Sequence, residues 1–290
     1  MVDKVAIVTD SIASIPKEMV TKYHLQIVPI NIHFEGRVYR DGVDLTSAQA
    51  YKFLEKDPEH FASSPASIGE YVNTYIEAAM EDEGILCITL SAKLSNIHNV
   101  ARLAKEEAVQ RLPDTSIEVL DSQSAAVGEG LVVTAAARAS SEGMSLGEVT
   151  QIARDVSDKV MVIGVMDTIQ YVYRTGRIPK ITAQLGSKLH IKPVFKISAG
   201  KIEIAGLSRS KEQAIERALE MMRELAGSEE IHAAVAHADV YHEGKKLEDR
   251  IKDEFNCSEL WLTDFSPIMA YATGSGTLAI AFYKKAKINN

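Results

Sequence analysis

Two hydroxyl-rich stretches have residue types that can hold a small polar head group. One is Ser91 to Ser95 within Glu83–His98, EGILCITLSAKLSNIH; the other is Phe61-Ala62-Ser63-Ser64-Pro65. In the first, Ile85–Leu90 reads as an enclosed apolar strand. The serines follow it, and the helical pattern of Val100, Leu103 and Ala104 comes next. Ligands in open α/β sheets sit beyond the carboxyl ends of strands, where these hydroxyls fall. The same serines would equally serve as caps for the next helix, and the local sequence leaves both roles open.

Other groups offer different chemistry. Asp10 and Asp121 each end an expected strand and each precede a serine, so they suit an acid, a base or a loop brace. With Ser95 they are the residues on which a hydrolase or phosphotransferase acting on a small carboxylic or phosphate substrate would rest. No GxSxG motif is present, and the eight histidines are scattered. His237-Ala238-Asp239 with His242 is the one dense histidine–carboxylate group, too small for the usual three-ligand catalytic zinc. We expect a structural histidine there and no metal. Gly274-Ser275-Gly276 fits either an oxyanion loop or a plain turn, being neither GxGxxG nor a P-loop.

The elements that position these residues follow a readable order. Strands are expected at Lys4–Val8, Gln26–Phe34, Ile85–Leu90 and Ser116–Leu120, separated by helices. Three of those helices open on capping-box spacings: Thr46…Gln49, Ser67…Glu70 and Ser145…Glu148. Gly36–Asp44 reads as turn, and Ala125–Ser140 as a helix of small residues suited to close packing. The order argues for a mainly parallel, helix-covered sheet. After Lys159 the texture changes, with a strand at Val160–Val165 and a hairpin from Val194 to Ala205 turning at Ser198-Ala199-Gly200-Lys201. A helix then follows from Ser210, with further strands at Ile231–Ala236 and Glu259–Thr263. The fold class is therefore two α/β domains, the second with a mixed sheet. We place them at 1–155 and 156–290, with the segment 61–82 free to pack with the second.

Composition narrows the function. The chain has 290 residues, 46% hydrophobic and 25% charged, with a net charge of −8. That balance opposes nucleic-acid binding, which requires a basic surface. No apolar run reaches the ~18 residues of a membrane span, so no stable membrane insertion is expected. MVDKVAIVTD lacks the apolar core of a signal peptide, and Cys87 and Cys257 form no CxxC, so a cytoplasmic location is expected. Charge is also uneven. Thr168–Lys211 carries nine Lys/Arg (among them Arg177 and Arg209) and one acid, against 32 basic and 40 acidic residues overall. Such a segment suits an anionic ligand or an acidic partner, or is simply a solvated basic face.

Taken together, the motifs resemble those of the DegV family of bacterial fatty-acid-binding proteins over nearly the whole chain. Val8-Thr9-Asp10-Ser11 is similar to its V-T-D-S opening, and Val28-Pro29 with Tyr39-Arg40-Asp41 to its V-P…Y-x-D stretch. Ser63–Tyr71, SSPASIGEY, resembles the T-S-x-P-S-x-G-E-F loop, and Ser91–Ser95 the start of S-S-x-L-S-G-T-Y. Asp121-Ser122 with Gly128 and Gly130, Thr175-Gly176-Arg177-Ile178, Ile191-Lys192-Pro193 and Arg209 follow in order. TGSGTLAIAF at Thr273–Phe282 is similar to the closing T-G-P-G-x-L-G-x-A-F.

The resemblance implies a long-chain fatty acid in a tunnel between two domains, no cofactor and no catalysis by the protein itself. It maps the carboxylate ligands to Ser63 and Ser95, with Ser64, Asn96, Thr273 and Gly274 as supporting positions. It further implies presentation of the carboxylate to a fatty acid kinase, for acyl-phosphate formation and phospholipid synthesis, with Arg177 and Arg209 near the docking region. The chain departs from the pattern at three places. Ala272 stands where a histidine is common, Ser63 replaces threonine, and Asn96-Ile97-His98 replaces G-T-Y.

Overall fold

The computed structural model describes residues 5–57, 60–80, 82–177 and 191–285. Three sheets organise them. Strands β1 (Val5–Asp10), β2 (Gln26–Val28), β6 (Gly84–Thr89) and β7 (Ser116–Asp121) form a parallel sheet in the order β2-β1-β6-β7. β1 and β6 are buried along their full lengths, as their unbroken apolar runs require. A small antiparallel sheet, β4-β3-β5, joins β3 (Asn31–Phe34), β4 (Arg37–Arg40) and β5 (Ala62–Ser64). The third sheet is mixed and six-stranded, in the order β10-β9-β8-β13-β11-β12. Its strands are β8 (Met161–Val165), β9 (Lys192–Ser198), β10 (Lys201–Ser208), β11 (Ile231–His237), β12 (Cys257–Asp264) and β13 (Leu278–Lys284). Only β11 and β12 pair in parallel; the other neighbours are antiparallel.

Ten helices link these strands among the described residues: α1 (Lys17–Lys22), α2 (Ser47–Lys56), α3 (Ile68–Ala78), α4 (Ile97–Ala108), α5 (Val127–Ser141), α6 (Leu146–Ser157), α7 (Gln170–Arg174), α8 (Lys211–Ala226), α9 (Tyr241–Glu254) and α10 (Pro267–Thr273). The expected capping boxes of α2, α3 and α6 all form, each hydroxyl accepting from the N3 backbone while the N3 side chain returns to the cap. Ser210 caps α8 by accepting from Gln213 N–H, while the Gln213 side chain accepts from Arg209 N–H.

The helix of small residues is the pivot of the molecule. Twelve of the fifteen residues of α5 are buried, because it lies against β1 and β6 on one side and β11 and β13 on the other. Glycine makes both approaches possible. A β-carbon on Gly128 would fall 2.3 Å from Val162 Cγ2, and one on Gly130 2.6 Å from the Ala13 carbonyl oxygen. The main apolar core therefore runs from the parallel sheet through α5 to the inner face of the mixed sheet. The outer face of that sheet packs separately under α8 and α9.

Several elements differ from the sequence reading. The single strand expected at Gln26–Phe34 is two, because Pro29-Ile30 takes the chain from the parallel sheet into the small one. The turn-rich Gly36–Asp44 contains β4, and the hydroxyl-rich turn at 61–65 contains β5. Within the segment 61–82, Phe61 stacks on Tyr271 of α10 at 4.7 Å, whereas α3 packs on α4 and the parallel sheet. α10 itself was not expected.

Candidate binding cavity

The two serine loops open onto one cavity, lined by both Ser63 and Ser95 and enclosing about 1090 Å³ of empty space, mouth included. Its floor is the inner face of the mixed sheet, where strand alternation sends Val162, Gly164, Phe195, Ile197 and Ala279 inward. α10 forms a wall through Ile268, Met269 and Tyr271. Ile12, Leu90 and Ile97, at the carboxyl end of the parallel sheet, form another. Ala125 and Ala126, at the start of α5, close the side between them. Among the described residues the polar members of the lining are few: Ser63, Ser64, Ser95, Thr175, Arg177, Tyr271, Thr273 and Thr277.

Register separates the two adjacent serines on β5. Ser63 pairs with Ile32, a fully buried residue, so its side chain projects on the inner face of the small sheet. Ser64 pairs with Asn31 and projects on the opposite face, where its hydroxyl lies 2.9 Å from His33 Nε2. No described group bonds the Ser63 hydroxyl. Ser95 Oγ accepts the Ile97 N–H at 3.4 Å where α4 begins, which leaves its own proton to donate. The capping and head-group roles are compatible in this one residue. The start of α4 also brings the favourable end of a helix dipole to an anion at that end of the cavity.

Ser91 has a different job. Its hydroxyl donates to Gly200 O at 3.2 Å, Lys93 Nζ donates to Ala199 O at 2.7 Å, and Gly200 N–H donates to Gln123 O at 2.7 Å. The tip of the β9–β10 hairpin is thus gripped by the loops of the parallel sheet, and the cavity lies beneath that grip.

The two candidate acids are spent on backbone. Asp10 accepts from Ile12 N–H at 3.0 Å and Leu90 N–H at 2.9 Å; Asp121 accepts from Ala92 N–H and Gln123 N–H. Burial pushes the Asp10 carboxyl up to about 6, against the opposing pull of its backbone donors. Glu129 of α5, bonded to Thr9 Oγ1, is held well above the usual carboxylate range by burial and by the neighbouring Asp10 charge.

The remaining candidates scatter. Thr273 lines the cavity, but its hydroxyl donates to Met269 O at 2.8 Å. Gly274 is buried outside the lining, against the Tyr171 ring. The N–H groups of Gly274 and Gly276 are taken by Ala270 O and Ala238 O, so Gly274-Ser275-Gly276 forms a tight turn. Asn96 is exposed at the start of α4 and lies off the cavity. Arg177 sits at the cavity and bonds the carbonyls of Leu94 and Thr175, whereas Arg209 is exposed and lies off it. His98 turns to Thr89 Oγ1 at 3.1 Å, away from the lining. His237 is buried with Nδ1 3.0 Å from Asp264 Oδ1, and its ring packs on Gly244.

Much of the basic segment is paired. Lys192 meets Asp167, Lys196 meets Glu203 and Lys211 meets Glu243. Lys180 and Lys188 lie outside the described residues, as does the Arg174 side chain.

The sequence reading missed the α10 wall and the place of Gly164 on the floor. Ser266-Pro267 was the available signal for α10, since serine before proline is a frequent helix start. For Gly164 it was alternation in Met161–Val165.

Similar proteins share this architecture along their lengths. A DegV domain-containing protein of Clostridium perfringens is 27% identical over 283 residues, covering 97% of this chain and 99% of that one. One from Staphylococcus aureus is 28% identical with the same coverage. A fatty-acid-binding DegV family protein from Thermus thermophilus superposes with a TM-score of 0.88 at 26% identity, over 97% of this chain and 100% of that one. DegV from Bacillus subtilis, a fatty-acid-binding protein, gives 0.85 at 26%, over 97% and 99%. The model of the DegV family, described as uncharacterised protein, DegV family, matches residues 4–285. The chain belongs to the DegV family.

Proposed function

We propose that this protein binds a long-chain fatty acid in the cavity, with the carboxylate between Ser63 and Ser95 and the acyl chain over the floor of the mixed sheet. The observation that carries this reading is the distribution of polarity: apolar walls, with both hydroxyls and Arg177 among the few polar side chains. Each buried methylene contributes about 0.8 kcal/mol, so a chain of roughly 16 carbons gains on the order of 10 kcal/mol before ordering costs. Affinity comes from the tail, and neutral hydroxyls suffice to orient the head. The fatty-acid-binding relatives from T. thermophilus and B. subtilis support the same reading.

On this proposal the protein is a cytoplasmic carrier rather than an enzyme. It presents the carboxylate to a separate fatty acid kinase for acyl-phosphate formation and phospholipid synthesis, with Arg177 and Arg209 on the docking side. The units 1–155 and 156–290 are its two domains, with α5 packed between their sheets. Backbone engagement of Asp10 and Asp121 favours a carrier over a hydrolase or phosphotransferase.

Organic extraction of the purified protein followed by mass spectrometry tests the core of the proposal. A long-chain fatty acid near one equivalent is expected. Absence of bound acid, together with no uptake of added palmitate or oleate, overturns it.

A further inference from the structure

Gly164 occupies a position in β8 that requires no glycine for backbone reasons. It is in the middle of a strand and is not among the glycines with left-handed φ. Among the described residues, a β-carbon built on it would meet only the Leu278 carbonyl oxygen, at 3.9 Å. The contrast with Gly128 and Gly274 is sharp, since β-carbons there would strike Val162 and Tyr171 at 2.3 Å. Glycine inside a strand weakens it and often marks the close approach of a ligand or another backbone.

The open space above Gly164 is the cavity. Val162 and Gly164 face inward while Ile163 and Val165 pack on the opposite face of the sheet. Across the sheet, Gly164 pairs with Phe195 on β9 and Ala279 on β13, both cavity-lining. The floor thus has a low furrow, Gly164 and Ala279, bounded by the Phe195 ring on one side and by Val162 and Met166 along the strand direction. Any larger residue at position 164 would stand up in that furrow, and the strand would accommodate its backbone.

We infer that Gly164 sets the acyl length the cavity accepts: the chain crosses the mixed sheet over this residue, and the missing side chain keeps the cavity continuous beyond it. The inference rests on the fatty-acid reading above. It identifies Gly164 as a specificity-determining residue.

The test is a graded series, Gly164→Ala, Gly164→Val and Gly164→Leu, titrated with octanoate, laurate, palmitate and oleate, with thermal melting as the fold control. Palmitate and oleate affinity should fall stepwise with side-chain size, by about fourfold for each methylene excluded. On this inference octanoate ends before the furrow and should bind all four proteins equally, so the preferred chain shortens along the series. If the leucine variant does not fold, the alanine and valine variants must still show the shift. Unchanged palmitate affinity in a folded variant overturns the inference, and so does an equal loss for octanoate and palmitate, which would signify a blocked entrance. Failure of the unmutated protein to bind any of the acids is the separate result that removes the carrier reading itself.

Discussion

The two flanks of the cavity are each anchored by a buried aspartate, and the anchors are built differently. On the Ser95 flank, Asp10 uses both carboxylate oxygens, one for Ile12 N–H and one for Leu90 N–H. The loop after Leu90 is further held by Ser91 N–H to Ser124 O, Ala92 N–H to Asp121 and the Ser91–Gly200 contact. On the Ser63 flank, Asp41 Oδ1 accepts from Ile268 N–H at the start of α10, and the Ser11 and Ser266 hydroxyls add to the pull on its carboxylate. Ser63 itself sits on a three-residue edge strand paired only with β3. Burial raises both carboxyls, Asp10 to about 6 and Asp41 to about 7, and the nearby Asp10 charge adds to the rise at Asp41. The lesson is that one of the two proposed head-group serines rides on a braced loop and the other on a short edge strand, closed over by α10.

Protonation gives the largest way to break that contrast. A carboxyl whose folded pKa lies above its unfolded value near 3.8 contributes stability that is fully present below pH ~4. It is lost as pH rises through the folded value. The protein should therefore lose unfolding free energy between about pH 4 and 7, with Asp41 contributing up to ~4 kcal/mol of the change. Asp41→Asn retains an acceptor for Ile268 N–H and removes the charge. Urea unfolding at several pH values should show a flatter profile for the variant and greater stability at pH 8. An unchanged slope means that Asp41 ionises without cost and that the α10 anchor is not strained.

Asp10→Ala comes next in size and acts in the opposite sense. It leaves the Ile12 and Leu90 N–H groups buried without an acceptor, at about 1–3 kcal/mol each, offset in part by removal of a desolvated carboxyl. A net loss of about 2 kcal/mol is expected in chemical denaturation at neutral pH. Amide hydrogen exchange should report faster opening at residues 89–95 in the variant and no change at residues 62–64. Equal acceleration at both segments would mean that the flanks open together, contrary to the comparison.

How far these anchors were legible depends on distance along the chain. Capping boxes, the hairpin turn and the buried runs of β1 and β6 are local, and Thr46, Ser67 and Ser145 announced their helices by spacing alone. Ser63 and Ser95 were identified by resemblance, and their convergence on one cavity depends on sheet placement that no local pattern states. The bonds of Asp10 to Leu90 and of Asp41 to Ile268 span 80 and 227 residues. From sequence Asp10 suited an acid, a base or a loop brace alike, and Asp41 entered only through the Tyr39-Arg40-Asp41 resemblance. Gly164 was invisible for a different reason: a glycine inside an apolar strand signals what approaches it only once the opposite wall is in place.

The finest comparison is between the two serines themselves. Ser63→Ala removes a hydroxyl that bonds nothing described in the protein, so stability should stay within ~0.5 kcal/mol while acyl affinity falls by about 1 kcal/mol, severalfold. Ser95→Ala removes an acceptor of the Ile97 N–H as well as a head-group donor. It should cost about 1 kcal/mol in stability in addition to a similar loss of affinity. The two losses of affinity refer to one carboxylate and should couple in a double-mutant cycle. Titration with palmitate and with palmityl alcohol separates head from tail, because a carboxylate offers a charged oxygen to each serine, whereas the alcohol has one neutral oxygen for both. Coupling that is stronger for the acid than for the alcohol is the expected outcome. Independent effects for the acid would mean that only one of the serines reaches the head group, and the stability difference would then show whether Ser95 serves as a cap alone.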